Sequence, residues 1–374
     1  MGVTMEYIAR MANVSKATVS RVVNGKTEGV SKETRERIQR LIEEYGYTPN
    51  LVARGMATSR SKTIGLVIPN ITNPFFPDLI RSLQIPLQAY GYTVMLCDTD
   101  SSRQAEENIL KTLQAKRVDG IILATVQEEG RHSQENVRLD VPCILIDRKS
   151  NVIDYDVGVF MDNEFAFWSA TNLILRHGNR RIAFIKGPDD LSTTKERLLG
   201  FQSAMKQYGV PIDPDLILNG DFGFRSGYTA VMMLHRRRIP FTAIVASNDM
   251  MALGAIQALR ELNISVPEEV EVIGCDDIPF SSLIQPTLTT MRIPLEKFGR
   301  QVASIMMDLI AGNPVSEKNI RLEAELILRH ELTHLRHLDF LWSFCRTAAV
   351  IVYWWNPLIW LAAICSKHDA ELAC

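Results

Sequence analysis

Residues 4–24, with the sequence TMEYIARMANVSKATVSRVVN, contain two short segments of helical apolar spacing joined by a tight turn. Thr4 and Ser15 stand just before these segments, where N-cap residues are preferred. The predicted inward positions are Ile8, Ala9 and Met11 in the first helix and Val19, Val22 and Val23 in the second. A third helix is predicted between a Ser31 cap and Gly46, with Ile38, Leu41 and Ile42 buried. The pattern predicts a helix-turn-helix unit.

The outward face of the second helix carries small polar and cationic side chains near its start. These outward positions are Lys16, Ala17, Ser20 and Arg21. Arg21 can donate two hydrogen bonds to guanine, Lys16 can reach a base or a phosphate, and Ala17 offers a methyl contact to thymine. Recognition helices read the major groove from such positions. The alternative interpretation is a small helical bundle whose basic residues are only solvated.

Charge is distributed unevenly along the chain. Residues 1–62 hold 11 Lys and Arg against 6 Asp and Glu, a net charge of +5, whereas the remaining 312 residues hold 30 against 37, a net of −7. A cationic amino-terminal part favours a polyanionic partner, because each neutralised phosphate releases condensed counterions. The charge pattern therefore agrees with DNA binding by the helix-turn-helix unit.

Several blocks of sequence carry a resemblance to a known family. They include VSKATVSRVVNGK at residues 14–26, KRVDGIILA at 116–124, AIVASNDMMALGAIQAL at 243–259 and QPTLTTMRIP at 285–294. In content and order these blocks closely resemble the lactose-repressor (LacI) family of bacterial transcription regulators. The resemblance covers residues 1–329. It implies a homodimer that binds a palindromic double-stranded operator and requires no cofactor. Residues 1–11 carry no long apolar run of the kind found in signal peptides, so we expect a cytoplasmic protein.

The resemblance also implies a division into domains. Residues 1–48 would form the DNA-binding headpiece, 49–61 a hinge helix and linker, and 62–329 an effector-binding core. The hinge helix would enter the minor groove and insert Met56, an apolar wedge, between base pairs. The DNA-binding residues predicted in this way are Ser15, Lys16, Ala17, Thr18, Ser20, Arg21, Asn24, Asn50, Ala53 and Met56. A passive linker without DNA contact remains the alternative for the hinge.

The core contains short, nearly unbroken apolar runs separated by amphipathic segments of helical length. Such runs stand at residues 63–68, 120–123, 144–146, 182–185, 243–246 and 270–273. This alternation predicts an α/β fold with two doubly wound parallel sheets. One subdomain would span about 62–160, with 291–329 partly crossing back, and the other 161–290. The resemblance implies the same two-subdomain core, similar to periplasmic binding proteins.

Ligands of open α/β sheets bind beyond the carboxyl ends of the strands, where this chain places several polar side chains. By resemblance, the residues predicted to contact an effector are Asn73, Arg148, Arg197, Phe222, Asn248 and Asp276. A ring could stack on Phe222 while hydroxyl groups bridge the charged and amide side chains. This set favours a sugar, and a purine-like effector remains open. For each residue alone, an ordinary turn or ion-pair role is the alternative.

Residues 330–374 extend beyond the end expected for this family. They begin with HELTH, which would place His330 and His334 on one helical face to hold zinc, with Glu331 as general base. HELTHLRHLDFLW and HDAELAC resemble the zinc peptidase domain of membrane-bound BlaR/MecR-type antibiotic sensors, where Glu371 would complete the metal site. We interpret this mostly helical segment as an inactive peptidase fragment. Zinc binding and proteolysis remain the alternatives.

The last part of the chain also bears on membrane contact. Residues 347–365 are uncharged over a length sufficient to cross a bilayer, yet they carry Tyr353, Trp354 and Trp355 at their middle. This favours an interfacial or simply hydrophobic segment over a membrane span. The six cysteines form no CxxC pair and are predicted to be reduced thiols.

Overall fold

The computed structural model describes residues 3–25, 28–47, 60–126 and 138–328. Its helices, in chain order, are α1 (Met5–Met11), α2 (Lys16–Val23), α3 (Lys32–Glu44), α4 (Phe75–Ala89), α5 (Arg103–Ala115), α6 (Asn163–Arg176), α7 (Ser192–Gln207), α8 (Phe224–Arg236), α9 (Asp249–Glu261) and α10 (Leu295–Ala311). The strands are β1 (Thr63–Ile68), β2 (Thr93–Asp98), β3 (Gly120–Leu123), β4 (Cys143–Ile146), β5 (Val157–Met161), β6 (Ile182–Lys186), β7 (Ile217–Asn219), β8 (Ala243–Ala246), β9 (Glu271–Cys275), β10 (Thr289–Arg292), β11 (Asn319–Leu322) and β12 (Glu325–Ile327).

The three amino-terminal helices form the predicted helix-turn-helix headpiece. The hydroxyl oxygens of Thr4, Ser15 and Ser31 accept hydrogen bonds from backbone N–H groups in the first turns of α1, α2 and α3. Each bond satisfies a donor that has no partner within the helix. The predicted caps are therefore confirmed.

The core of the headpiece differs from the prediction at one position. Ile8, Val19 and Ile38 are fully buried, whereas Met11 is 47% exposed. Ala12, which is 1% exposed, takes the inward position in its place. Ile8, Ala9 and Ala12 centre the buried face, and Met11 lies about 100° away from that centre at 3.6 residues per turn. The prediction that Met11 faces inward was wrong.

Two six-stranded sheets organise the described part of the core. The first has the order β11-β5-β4-β3-β1-β2, and each neighbouring pair is parallel. The second has the order β12-β10-β9-β8-β6-β7, and only β12 runs antiparallel to its neighbour. β3, β4, β5 and β8 are buried at every position. Burial on both faces explains why these strands are continuous apolar runs rather than alternating ones.

Helices pack beside both sheets and divide the core into two subdomains. α4, α5 and α10 pack in the first subdomain, and α6 to α9 pack in the second. The chain crosses between them after β5, after β10 and after β11. The first subdomain therefore contains β1–β5, α10 and β11, and the second contains the elements between β5 and α10 together with β12.

Close helix packing in the second subdomain depends on glycine. A Cβ atom on Gly227 of α8 would lie 1.9 Å from the carbonyl oxygen of Met251 in α9. A Cβ atom on Gly254 of α9 would lie 1.9 Å from the carbonyl oxygen of Phe224. The two helix backbones therefore approach more closely than side chains would allow. Over the described ranges, no helix combines the length and hydropathy needed to span a bilayer.

Candidate functional site

The predicted recognition helix, α2, presents its polar side chains on the surface of the headpiece. Ser15, Lys16, Ala17, Arg21 and Asn24 are exposed, and Thr18 and Ser20 are partly exposed. Val19 and Val22, on the opposite side of the helix, are buried. The amide nitrogen of Asn24 donates hydrogen bonds to the carbonyl oxygen of Ser20 at 2.7 Å and to its hydroxyl oxygen at 3.2 Å. The helix thus offers Lys16, Ala17 and Arg21 as side chains that can reach a groove.

The hinge residues predicted to contact DNA are Asn50, Ala53 and Met56. They lie outside the described residues, so their DNA contacts remain predictions from the resemblance.

The six predicted effector residues line one cavity at the ends of strands from both sheets. The lining residues are Asn73, Phe75, Phe76, Asp147, Arg148, Thr193, Arg197, Phe222, Asn248 and Asp276. Asn73, Asp147 and Arg148 follow strands of the first sheet, while Asn248 and Asp276 follow β8 and β9 of the second. The cavity volume is about 30 Å³. Residues far apart in the chain are therefore brought together, as the topology of open α/β sheets predicts.

Several residues around this cavity hold left-handed backbone conformations. The φ angles are +61° at Asp147, +65° at Phe222, +116° at Asp276 and +54° at Asp277. Residues other than glycine rarely adopt such φ angles, and each instance costs about 1–3 kcal/mol. Strain of this kind concentrates at binding sites, where it aims a side chain that a relaxed backbone would direct elsewhere.

Arg197 is the cation around which the cavity is built. Its side chain is buried, and its Nε donates to the Asn163 side-chain oxygen at 2.8 Å. Its Nη1 donates to the backbone carbonyl of Ser247. The guanidinium also lies 5.4 Å from the ring centre of Phe167 and 5.8 Å from that of Phe222. These contacts fix the guanidinium in place before any ligand binds.

The electrostatic environment of Arg197 keeps the guanidinium charged. Burial lowers its pKa, but neighbouring groups, including the Asp276, Asp147 and Glu196 carboxylates, outweigh burial, so the pKa is raised overall. Burial raises the pKa of Asp276 to about 7, with Arg197 opposing the rise and Asp147 adding to it. Asp276 can therefore serve as donor or acceptor near neutral pH.

A second buried carboxylate lies behind Asp276. Asp249 accepts hydrogen bonds from the Thr290 hydroxyl at 2.6 Å and from the Ile278 backbone N–H at 2.9 Å. Burial and the nearby Asp276 carboxylate raise its pKa well above the usual value, although the two hydrogen bonds oppose the rise. Asp249 therefore supports the strand-end loop that carries Asp276.

The two cavity asparagines also hold their own loops. The side-chain oxygen of Asn248 accepts from the Met251 N–H at 3.0 Å, while its amide nitrogen donates to the Phe222 carbonyl at 2.9 Å. The side-chain oxygen of Asn73 accepts from the Phe75 N–H at 3.1 Å. Asn248 thus caps α9 and anchors the loop of Phe222, which combines a structural role with its place at the cavity.

Arg148 is less completely satisfied than Arg197. Its side chain is buried, and its Nε has no hydrogen-bond partner among the described residues. Arg148 Nε forms an ion pair with Asp147 Oδ2 at 3.5 Å, without making a hydrogen bond. An unsatisfied buried donor costs about 1–3 kcal/mol. A ligand oxygen that accepted from Arg148 would recover part of this free energy.

Sequence reasoning missed some residues of this site. Thr193 lies four residues before Arg197 on α7, so helical spacing could have placed it on the same face. Phe75 and Phe76 follow Asn73 after a single residue, Pro74, and begin α4. Asn163, which holds Arg197, lies 34 residues away in the chain, and no local pattern links the two.

The carboxyl-terminal motif residues His330, Glu331, His334 and Glu371 lie outside the described residues. Within the described ranges, no group of three or more His, Cys, Asp or Glu side chains is placed to hold a metal ion. The zinc site therefore remains a prediction from sequence.

Family models match this chain along its length. A model described as bacterial regulatory proteins, lacI family, matches residues 4–50. A model described as periplasmic binding proteins and sugar binding domain of LacI family matches residues 61–330. A third, described as BlaR1 peptidase M56, matches residues 313–374. Its first residues overlap the core, where residues 319–322 and 325–327 are strands of the two sheets.

Individual relatives agree with the family models. The HTH-type transcriptional regulator RegA of Clostridium saccharobutylicum is 33% identical over 332 residues, covering 88% of this chain and 99% of RegA. The ribose operon repressor of Escherichia coli (strain K12) is 33% identical over 329 residues, covering 87% of this chain and 98% of the ribose operon repressor. The lac repressor dimer bound to operator and the anti-inducer ONPF has a TM-score of 0.78 at 25% identity, covering 88% of this chain and 98% of that chain. The protein therefore belongs to the LacI family of bacterial transcriptional regulators.

Proposed function

We propose that this protein is a dimeric transcriptional repressor whose affinity for a two-fold operator is controlled by a sugar or a closely related hydroxyl-rich metabolite. One observation carries the proposal. Strand ends from both core sheets bring two guanidinium groups, two carboxylates, two carboxamides and a hydroxyl together around one cavity, with three phenylalanine rings among its lining. Such a mixture of donors, acceptors and ring faces is typical of sugar sites.

The balance of charges in the cavity favours a neutral effector over an anionic one. The lining contains two cations, Arg148 and Arg197, and two carboxyl groups, Asp147 and Asp276, so it has no large excess of positive or negative charge. A hydroxyl group can both donate to a carboxylate and accept from a guanidinium, and it would satisfy Arg148 Nε. A purine-like effector would use the same rings for stacking but would leave more of the charged groups without partners.

The size of the cavity couples effector binding to movement of the subdomains. About 30 Å³ accommodates a water molecule, whereas ligand pockets usually have volumes of about 300–1,000 Å³. Because the lining comes from both subdomains, we expect a sugar ring to enter by displacing lining side chains or by changing the angle between the subdomains. We expect effector binding to favour a different subdomain angle, and such coupling is typically worth about 1–3 kcal/mol in the affinity for the second ligand.

Exposed apolar side chains on both subdomains offer surface that a second copy of the chain would cover in a homodimer. Phe280 and Leu283 on the second subdomain are 49% and 76% exposed, and on the first subdomain Ile85 of α4 and Tyr90, its carboxyl-terminal cap, are 58% and 50% exposed. β2, the outer strand of the first sheet, adds Leu96. A homodimer formed in this way would carry two recognition helices, one for each operator half-site.

The experiment that tests this proposal begins with selection of bound duplexes from a random library by the purified protein. We expect a palindromic sequence, footprints over two equivalent half-sites, and a change in affinity with at least one member of a panel of pentoses, hexoses, disaccharides and nucleosides. A single asymmetric site bound by a monomer would contradict the dimeric model. A response to nucleosides alone would refute the assignment of a sugar effector.

A second candidate function rests on the peptidase-model match to residues 313–374. His330 and His334 of the HELTH motif would bind zinc together with Glu371, and Glu331 would act on the bound water. We assign the regulatory function to residues 1–329 and interpret residues 330–374 as a peptidase fragment without proteolytic activity. Metal analysis of the full chain tests the zinc site, with His334→Ala as the control. Stoichiometric zinc that is lost in the variant would support the site, and its absence from the unmodified protein would exclude it.

A further inference from the structure

One ion pair joins the two core subdomains beside the cavity. Lys149, which follows β4 of the first subdomain, places its Nζ in contact with Oε1 of Glu196 on α7 of the second. The backbone N–H of Lys149 also donates to the hydroxyl of Ser192 at 3.3 Å. The side chains are 34% and 20% exposed, so solvent screens this pair less than it would a fully exposed one.

The same glutamate connects to the cavity through its other oxygen. Glu196 Oε2 accepts a hydrogen bond from the amide nitrogen of Asn163 at 3.3 Å. The side-chain oxygen of Asn163 accepts from Arg197 Nε at 2.8 Å. Asn163 is 2% exposed and begins α6, immediately after the first crossing between subdomains. A continuous polar path therefore runs from Lys149 through Glu196 and Asn163 to Arg197.

We propose that the Lys149–Glu196 pair is a clamp that holds the subdomains together, and that Glu196 and Asn163 position Arg197 through the same connection. The clamp acts as a positioning device because neither Lys149 nor Glu196 lines the cavity. Movement of Lys149 away from Glu196 would remove the charge that orients the glutamate and would loosen the hold of Asn163 on the guanidinium.

The clamp gives effector binding a specific point of action. A ligand that binds Arg197 would shift the guanidinium and, through Asn163 and Glu196, would change the contact of Glu196 with Lys149 that joins the subdomains. This last step rests on the proposed effector function. The clamp itself does not, so its test is carried out on the full chain without any effector, and its failure would leave the proposed function untouched.

Hydrogen exchange measured by mass spectrometry tests the clamp at the Lys149 amide, within a peptide covering residues 147–152. We expect Lys149→Met and Glu196→Gln to accelerate this exchange by at least about threefold, as expected for the loss of a partly buried ion pair. Lys149→Arg, which keeps the charge, should retain the slow exchange. Lys186→Met is the matched control, since Lys186 pairs with Asp189 inside the second subdomain.

The positioning of Arg197 needs a second readout. In protein labelled with ¹⁵N-arginine, the Arg197 Nε–H resonance can be assigned by its loss in Arg197→Lys. We expect this resonance to shift in Lys149→Met and in Glu196→Gln, and to stay in place in Lys149→Arg and Lys186→Met. Unchanged exchange in Lys149→Met, or an unchanged Arg197 resonance in both neutral variants, would overturn the proposal.

Discussion

Replacement of Arg21 by alanine separates the reading of bases from general attraction to DNA. Arg21 is exposed on α2, opposite the buried Val19 and Val22, so its removal leaves the headpiece core intact. Surface substitutions of this kind change stability by less than about 0.5 kcal/mol. Loss of DNA binding in Arg21→Ala therefore cannot be attributed to unfolding.

The expected loss of sequence discrimination in Arg21→Ala depends on the number of recognition helices in the dimer. One bidentate arginine–guanine contact is worth about 1–3 kcal/mol of discrimination, and a dimer makes two such contacts. We expect the ratio of specific to nonspecific affinity to fall by about 2–6 kcal/mol, which is a factor of about 30 to about 10⁴. Weak binding at low salt should persist, because the other cations of the headpiece still attract phosphate.

Competition gel shifts with the selected operator and a scrambled duplex measure this ratio across a salt series. Arg37→Ala is the matched control. Arg37 is also exposed but belongs to α3, and its replacement removes the same charge. It should weaken both duplexes to a similar extent and leave the ratio near that of the unmodified protein. Equal ratios for Arg21→Ala and the unmodified protein would refute the assignment of Arg21 as a base-reading residue.

Three further outcomes follow from the core. Burial raises the pKa of Asp276 to about 7. The native state therefore retains a proton that Asp276 releases near its ordinary pKa in the unfolded state. The resulting contribution to stability is present at pH 4 and is lost as the pH rises toward 7. In urea unfolding, Asp276→Asn should show a smaller decline over that range than the unmodified protein, and identical slopes would count against the raised pKa. Gly227→Ala should reduce the free energy of unfolding by about 1–3 kcal/mol because its Cβ would meet the Met251 carbonyl, and an unchanged urea midpoint would argue against close packing of α8 on α9. Truncation after Arg329 should preserve operator affinity in gel shifts, since β12 completes the second sheet at Ile327; loss of binding would show that the tail is needed.

Much of the fold could be predicted because its signals are local. Ser15 precedes a periodic segment and caps α2, and the spacing of Val19 and Val22 gives the buried face. The apolar run that becomes β8 is buried at every position, as continuous hydrophobic runs predict. Met11 shows the limit of this reasoning, since a shift of one position decides whether a side chain on a short helix faces inward.

The cavity was less accessible to sequence reasoning because its contacts are long-range. The resemblance indicated the positions of Arg197 and Asp276, and the topology brings both to the same cavity, Arg197 from α7 and Asp276 from the end of β9. The contact of Arg197 with Asn163, and that of Glu196 with Lys149, span 34 and 47 residues of the chain. The residues themselves carry no pattern that predicts these pairs, which depend on how α6 and α7 pack.

A thermodynamic cycle tests the central claim of coupled binding most directly. Once an effector is found in the panel, calorimetry measures its affinity for the free protein and for the operator complex, and gel shifts measure operator affinity with and without it. Linkage requires the two factors to be equal, and we expect a factor of about 5 to 150 in the unmodified protein. An effector that binds the core yet leaves operator affinity unchanged would contradict the account.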